Sequence, residues 1–316
     1  MSRKPSSRAA AAPTEAIAPV PWTAVPPPAD NELLVVVGPT ASGKTELAIR
    51  LAERHGGEVV GADSVQIYRG FDLGSGKPTA AEQARARHHL VDVASPLDPV
   101  EAQRFTELAE AAIADIRARG KRPIVCGGTF LWVKALVWGL AQMPAASPEL
   151  RAEHARIAET EGRAALHARL AEVDPESAAR LAPNDLVRVS RALEVLALSG
   201  KTMSALQKEH GFRERRHPAR LVAVSRSPAE LDARIAARTE DWLARGWVEE
   251  VRGLVDNGYS EARAMGSVGY REVLAHVSGE LPEAALKEAI VRSTRVFVRR
   301  QRTWLRDLEI TRVTLD

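Results

Sequence analysis

Apolar positions along the chain fall into two textures. Short β-branched runs bounded by turn residues predict strands at Leu33 to Gly38, Glu58 to Ala62, His89 to Val93, Pro123 to Gly127, Arg220 to Ser225 and Ile310 to Leu315. Between most of them lie stretches with apolar residues at helical spacing. Strand alternating with helix predicts an α/β fold with a doubly wound parallel sheet, which binds ligands at the carboxyl ends of its strands. From 147 to 185 the pattern becomes Ala, Arg and Glu at helical period with no strand, bracketed by Pro144, Pro148 and Pro183. That predicts a small all-helical insertion, so that 32–146 and 186–316 form the α/β core.

Residues 1–31 carry no hydrophobic period and are rich in Pro and Ala, which predicts a disordered tail. Arg3, Lys4 and Arg8 with nearby serines have the texture of a transit peptide, but a floppy extension accounts for the segment more simply. With 45% hydrophobic and 27% charged residues, the rest has the composition of an ordinary soluble globular protein. No apolar run reaches the roughly 20 residues of a membrane span. One cysteine, Cys126, excludes a disulfide framework and a cysteine metal site, and points to a reducing cytoplasm. Nothing in the chain demands a second copy, and a monomer is expected. A net charge of +3 hides local excess: the pI is about 9.2.

The first strand runs into Gly38-Pro39-Thr40-Ala41-Ser42-Gly43-Lys44-Thr45. Glycines at that spacing let successive amides aim at one anion, the following helix adds its positive end, and Lys44 adds a point charge. Thr45 is placed to ligate Mg2+. The loop specifies a phosphorylated ligand without saying whether it is a nucleoside triphosphate or another diphosphate.

Two further strand ends open toward the same edge. The second is followed by Asp63-Ser64-Val65-Gln66, where Asp63 suits a general base or a magnesium ligand, and equally suits a helix N-cap. The fourth ends in Gly127-Gly128-Thr129, two glycines that permit close approach and a hydroxyl. Far along the chain, residues 287–306 hold seven basic residues and one acidic, with Arg292, Arg295, Arg299, Arg302 and Arg306 at intervals of three and four. On a helix this is one guanidinium stripe, opposite an apolar face of Ile290, Phe297, Val298, Trp304 and Leu305. Aligned like charges repel unless a polyanion neutralises them, so the stripe predicts a nucleic-acid contact.

These blocks, with Asp-Leu-Gly-Ser-Gly-Lys-Pro at 72–78, Asn-Asp-Leu-Val-Arg-Val-Ser-Arg-Ala-Leu-Glu-Val at 184–195, Val-Gly-Tyr-Arg-Glu at 268–272 and Arg-Arg-Gln-Arg-Thr-Trp-Leu-Arg at 299–306, occur in one order. In that order the chain resembles the bacterial tRNA dimethylallyltransferase family over nearly all of its length after the tail. The resemblance implies a nucleotide-kinase-like P-loop core with a helical insertion. It implies transfer of a dimethylallyl group from dimethylallyl diphosphate to the exocyclic amine of the adenosine 3′ of the tRNA anticodon, with the loop holding diphosphate and Mg2+. By the same resemblance Asp63 is the general base, Thr129 the hydroxyl near the reacting groups, and Arg234 the arginine on the diphosphate, with Arg238 as the other candidate. It puts the anticodon stem-loop against Asp63, Ser64, Val65, Gln66, Thr129, Arg151, Val187, Arg188, Val189, Ser190 and Arg191. The contact continues through 266–271, including Gly269, Tyr270 and Arg271, and through Arg299 to Arg306, including Arg302.

Three positions depart from the commonest family pattern: Phe71 and Gly76 stand where Met and Ala are more usual, and Trp132 where Tyr is usual, changes expected to reshape the prenyl channel. A P-loop small-molecule kinase using ATP would share the loop but has no use for the arginine stripe. A non-catalytic RNA-binding module would use the stripe and leave the loop unexplained.

Overall fold

In the computed structural model the described residues are 18–211, 215–306 and 308–315. The chain begins with β1 (Val20–Pro21) and β2 (Leu33–Val37), followed by α1 (Lys44–His55), β3 (Gly57–Gly61), α2 (Ala80–Arg85) and β4 (His88–His89). Helix α3 (Ala102–Ala118), β5 (Arg122–Gly127) and α4 (Phe130–Trp138) lead into α5 (Pro148–Thr160), α6 (Arg163–Val173), α7 (Pro175–Arg180), α8 (Leu186–Ser199) and α9 (Met203–His210). The chain closes with β6 (Ala219–Val224), α10 (Pro228–Ala244), α11 (Trp247–Asp256), α12 (Tyr270–Val277), α13 (Glu283–Leu305) and β7 (Thr311–Thr314).

The strands form one seven-stranded sheet in the order β1-β7-β6-β2-β5-β3-β4. Its pairings are parallel, with Val36 opposite Cys126 and Val60 opposite Val125. All five residues of β2 are fully buried, as expected of a central strand covered on both faces. The order places β2, β5 and β3 side by side, so their carboxyl ends open at one edge. Helix α1 packs below this edge, and α10 packs on α13 through Leu231, Ile235, Val291 and Val298, with Ala41 of the loop in the same cluster.

The structure changes three sequence expectations. The tail is ordered from its latter part onward: Val20 pairs with Val313, Val25 is buried, and Trp22 packs on the core beneath the guanidiniums of Arg50 and Arg54, 5.6 and 5.8 Å from its ring. Proline tolerates an edge strand, and its carbonyls still accept hydrogen bonds. Those of Pro26 and Pro28 accept from Arg220 and Arg122. Arg3, Lys4 and Arg8 lie outside the described residues.

The strand expected at His89 to Val93 stops at His89, because Leu90 (φ 61°) and Asp92 (φ 58°) take left-handed backbone that extended pairing cannot use. The helical insertion is larger than 147–185. One compact unit comprises 101–110 and 131–219, and its core of Ile157, Leu166, Leu170 and Ala178 continues into Val189 and Ala192 of α8. The apolar stripe of α8, assigned to the α/β core from sequence, is spent on the other helices of the insertion. The second unit consists of residues up to 100, 111–130 and 220–316. Among the described residues no helix is long and apolar enough to cross a membrane.

Candidate active site

The phosphate loop leaves β2 at Val37 and enters α1 at Lys44. Ala41 (φ 65°) and Gly43 (φ 95°) turn the backbone through the left-handed region, which Gly43 takes without strain. Gln301 of α13 fixes the loop from above: its Oε1 accepts from Thr40 N at 2.9 Å and its Nε2 donates to Gly128 O at 3.1 Å. A Cβ on Gly128 would stand 2.8 Å from Gln301 Nε2 and 3.6 Å from Lys44 Nζ, so only glycine lets the β5 turn approach both.

Beside the loop, Asp63 Oδ1 accepts from Val65 N at 3.0 Å and Gln66 N at 3.3 Å. This is the bonding of an N-cap, but the chain over 64–67 forms turns and no helix follows. One carboxylate oxygen thus orients the group, which lines the cavity. Thr129 Oγ1 accepts from Ser64 N at 3.0 Å and meets Ser64 Oγ at 3.1 Å, tying the ends of β3 and β5 together. Gly127 permits this approach, since a Cβ there would lie 2.0 Å from Ala62 O.

Helix α10 supplies two arginines one turn apart. Arg234 Nε donates to Ala41 O at 2.7 Å, and Arg238 Nη2 donates to Thr40 Oγ1 at 2.7 Å. Both candidates from sequence therefore reach the loop. Arg238 also stacks on Trp242, 4.4 Å from the ring centroid. Desolvation, with Arg234 adding to it, lowers the Arg238 guanidinium to about 10. Desolvation likewise pulls the Lys44 ammonium below its ordinary value, while Asp63 partly restores it. Among the described residues neither Lys44, Arg234 nor Arg238 forms an ion pair. These cations surround an opening of about 990 Å³ lined by Thr40, Ala41, Gly43, Lys44, Thr45, Asp63, Ser64, Val65, Gln66 and Thr129, with Trp242 and Phe297 on its walls. Together they make an anion cradle with a carboxylate and a hydroxyl at its rim.

The sequence model of IPP transferase matches residues 66–308. The chain belongs to the IPP transferase family. It is 71% identical to a tRNA dimethylallyltransferase of Sorangium cellulosum (strain So ce56), over 95% of this chain and 96% of that one. It is 47% identical to a tRNA dimethylallyltransferase of Geobacter sulfurreducens, over 87% of this chain and 89% of that one. In structure it resembles the full-length tRNA isopentenylpyrophosphate transferase of Bacillus halodurans, with TM-score 0.66, 31% identity and 90% of each chain covered. A eukaryotic dimethylallyltransferase captured acting on tRNA superposes with TM-score 0.74 at 26% identity, over 90% of this chain and 74% of that one.

Against this family background, the expected RNA contacts divide. On α13, Arg292, Arg295, Arg299, Arg302 and Arg306 are exposed, while Ile290, Val298 and Leu305 are buried. Phe297 and Trp304, expected on the buried face, are 37% and 51% exposed. They fall at its edge, displaced by Thr294 and Gln301, which take core positions. Arg299, Arg302 and Arg306 line a second opening of about 490 Å³ together with Arg226 and Arg312. Arg295 pairs with Asp232 at 3.3 Å.

Tyr270 is fully buried and donates to Glu250 Oε1 at 2.6 Å, so its side chain braces the site and does not face a ligand. Gly269 (φ 93°) turns the chain against Trp247, and Arg271 is exposed beside Glu272. In the helical unit Val187 and Arg188 are exposed, whereas Val189 is in the core and Ser190 is buried against His154 Nδ1 at 2.9 Å. Arg151 and Arg191 both pair with buried Glu194, which also accepts from Ser147 N at 2.6 Å. That network holds α5 to α8.

Of the three departures from the family pattern, only Gly76 lines the cavity. Phe71 is buried 4.9 Å from Tyr270, and Trp132 stacks on Phe105 at 4.4 Å within the helical unit. Neither lines the cavity. Sequence reading missed Trp242, Arg226 and Arg312, and took Gln301 only as part of the expected RNA contact at 299–306. Gln301 had a signal, a polar residue in register with Ile290, Val298 and Leu305.

Proposed function

We propose that the chain transfers the dimethylallyl group of dimethylallyl diphosphate to the exocyclic amine of the adenosine 3′ of the anticodon in tRNA, releasing diphosphate. The observation that carries this reading is one cavity joining the unpaired cations of the phosphate loop to Asp63 and Thr129. The relatives named above supply the donor and the acceptor class by their activities.

In the reaction the amine nitrogen bonds to C1 of the allyl group as the C1–oxygen bond breaks, the electron pair leaves with diphosphate, and the amine loses a proton. Lys44, the loop amides and Arg238 neutralise the charge growing on the leaving group, the larger share of the acceleration in an ionising displacement. Asp63, held by Val65 N and Gln66 N, takes the proton. Thr129, bonded to Ser64, sits at the same rim and positions the acceptor nucleotide. A base inside a stacked loop cannot reach this cavity, so the adenosine enters extruded.

Mg2+ fits as an ion shared with the diphosphate. Among the described residues no cluster of three or more His, Cys, Asp or Glu could cage a metal, and magnesium commonly uses one or two protein oxygens plus phosphates. Thr45 lines the cavity and would hold it there, and the ion would neutralise diphosphate charge. The acting unit in this proposal is one chain in the cytoplasm, where tRNA is met as the acceptor. Of the RNA-facing arginines, Arg299, Arg302 and Arg306 contact the stem-loop backbone and give affinity without base specificity.

Labelled dimethylallyl diphosphate, Mg2+ and an anticodon stem-loop with adenosine 3′ of the anticodon test the reading. Label should move to that adenosine, and Asp63→Asn should slow transfer about 10²-fold with RNA affinity retained. Label that stays on the donor with wild-type protein would refute it.

A further inference from the structure

The cavity is polar where it meets the phosphate loop and aromatic a few ångströms away, and the two surfaces are mechanically linked. Arg238 donates to Thr40 Oγ1 at 2.7 Å on one side and lies 4.4 Å from the centroid of the Trp242 ring on the other. The half-exposed indole has two further neighbours. A Cβ at Gly76 would stand 3.1 Å from Trp242 Cζ2, and Gly76 has φ +63°, so the bare backbone is what lets the ring lie so close. Trp247, itself fully buried, meets Trp242 edge-on with centroids 5.5 Å apart and planes at 87°. A large flat apolar side chain is therefore fixed one guanidinium away from the anion cradle. The tail of an allylic diphosphate leaves the diphosphate directly, so an apolar wall beside the cradle is a surface its far carbons can meet.

We propose that Trp242 is the wall that sets the length of the transferred isoprenoid, admitting a five-carbon chain and excluding a ten-carbon one. This rests on the proposed prenyl transfer and adds to it the residue that chooses the donor. A pocket that merely offered apolar surface would favour the longer chain, since each added buried methylene contributes favourably. Discrimination against the longer chain needs a barrier that resists displacement, and the ring set between Arg238, Gly76 and Trp247 is the one so braced. Phe297, 37% exposed on another wall, lacks an equivalent clamp among the described residues.

Wild type, Trp242→Ala and Trp242→Phe would be given dimethylallyl diphosphate and geranyl diphosphate in competition, with Mg2+ and one anticodon stem-loop. Trp242→Ala should raise the geranyl-to-dimethylallyl ratio of kcat/KM by about 10-fold or more, whereas Trp242→Phe should stay within about threefold of wild type. A wild-type ratio in Trp242→Ala overturns the proposal. Should the alanine variant transfer neither group because Arg238 has lost its support, the ratio of the two affinities, measured by displacement of labelled dimethylallyl diphosphate, decides in the same way: a shift toward geranyl supports the wall and an unchanged ratio overturns it. Wild-type protein that transfers neither donor would instead break the function proposed above, a result distinct from an unaltered ratio.

Discussion

The two ends of β3 treat charge in opposite ways. At the amino end Glu58, 7% exposed, receives Arg119 Nη2 and His89 Nε2, each at 2.7 Å, and Arg119 also pairs with Asp115 at 2.8 Å. The Arg119 hydrogen bonds outweigh burial and hold the Glu58 carboxyl down to about 2. Past the carboxyl end, Asp63 faces Lys44, Arg234 and Arg238, and among the described residues none of these cations is in an ion pair. Desolvation there moves Lys44 and Arg238 toward their neutral forms. A charge cluster that shifts toward ionisation is complete in itself; one that shifts away from it lacks an anion. The same strand thus separates scaffold from site, and the open end is where a parallel sheet receives its ligand.

Substitution at each end should break the comparison differently. Lys44→Met should cut kcat/KM for the prenyl donor by about 10³-fold, because the leaving group loses its closest point charge, while the melting temperature holds or rises as a desolvated charge is removed. A large fall in melting temperature would show that Lys44 is part of the scaffold. Glu58→Gln should do the reverse, costing about 3 kcal/mol of stability at neutral pH and leaving transfer by the folded protein near wild type. The pH dependence follows from the direction of the shift. With Glu58 near 2 in the folded state and 4.5 unfolded, its contribution is full above about 4.5 and disappears as pH falls toward 2. Denaturant titrations across that range should show the acid loss of stability flattened in Glu58→Gln, and an unchanged acid limb would remove Glu58 from the account.

Between these extremes lies Gln301, which holds the cradle through hydrogen bonds to its backbone. Gln301→Leu keeps the volume but strands Thr40 N and Gly128 O, and should lower kcat/KM by about 10-fold with a smaller effect on melting. Single-turnover transfer measured alongside thermal melting checks it. Its position illustrates what the sequence made legible. The loop 38–45, Asp63 and Gly128-Thr129 announce themselves because their chemistry depends on local backbone, which sequence spacing encodes. Gln301 acts on Thr40 across 261 residues, and Trp242 through a ring laid on Gly76, and no local period reports such a convergence. The same limit explains the misplaced α8: its stripe at 189, 192 and 195 declares a buried face without saying which core buries it. At β1 the error ran the other way, because Pro-rich composition hid a strand whose pairing partner, β7, lies at the far end of the chain.

The arginine stripe on α13 extends the contrast to the surface, where effects are smallest. Arg299 and Arg302 line an opening that also gathers Arg226 and Arg312, and among the described residues no carboxylate contributes to its lining. Arg295, on the same helix, already has Asp232 at 3.3 Å, an exposed pair worth little in stability but enough to displace a counterion in the free protein. Releasing counterions on RNA binding is what produces salt dependence, so an arginine with a carboxylate beside it should contribute less to the slope. In titrations of an anticodon stem-loop from about 50 to 200 mM salt, Arg302→Ala should reduce the slope of log Kd against log salt by about 0.7 to 0.9. Arg295→Ala should reduce it by clearly less, and the double variant Arg295→Ala with Asp232→Ala should match the single Arg295 variant to within about 0.3. Equal slopes for Arg295→Ala and Arg302→Ala would mean that Asp232 swings away when RNA arrives, and that the whole stripe, paired or not, meets phosphate as one surface.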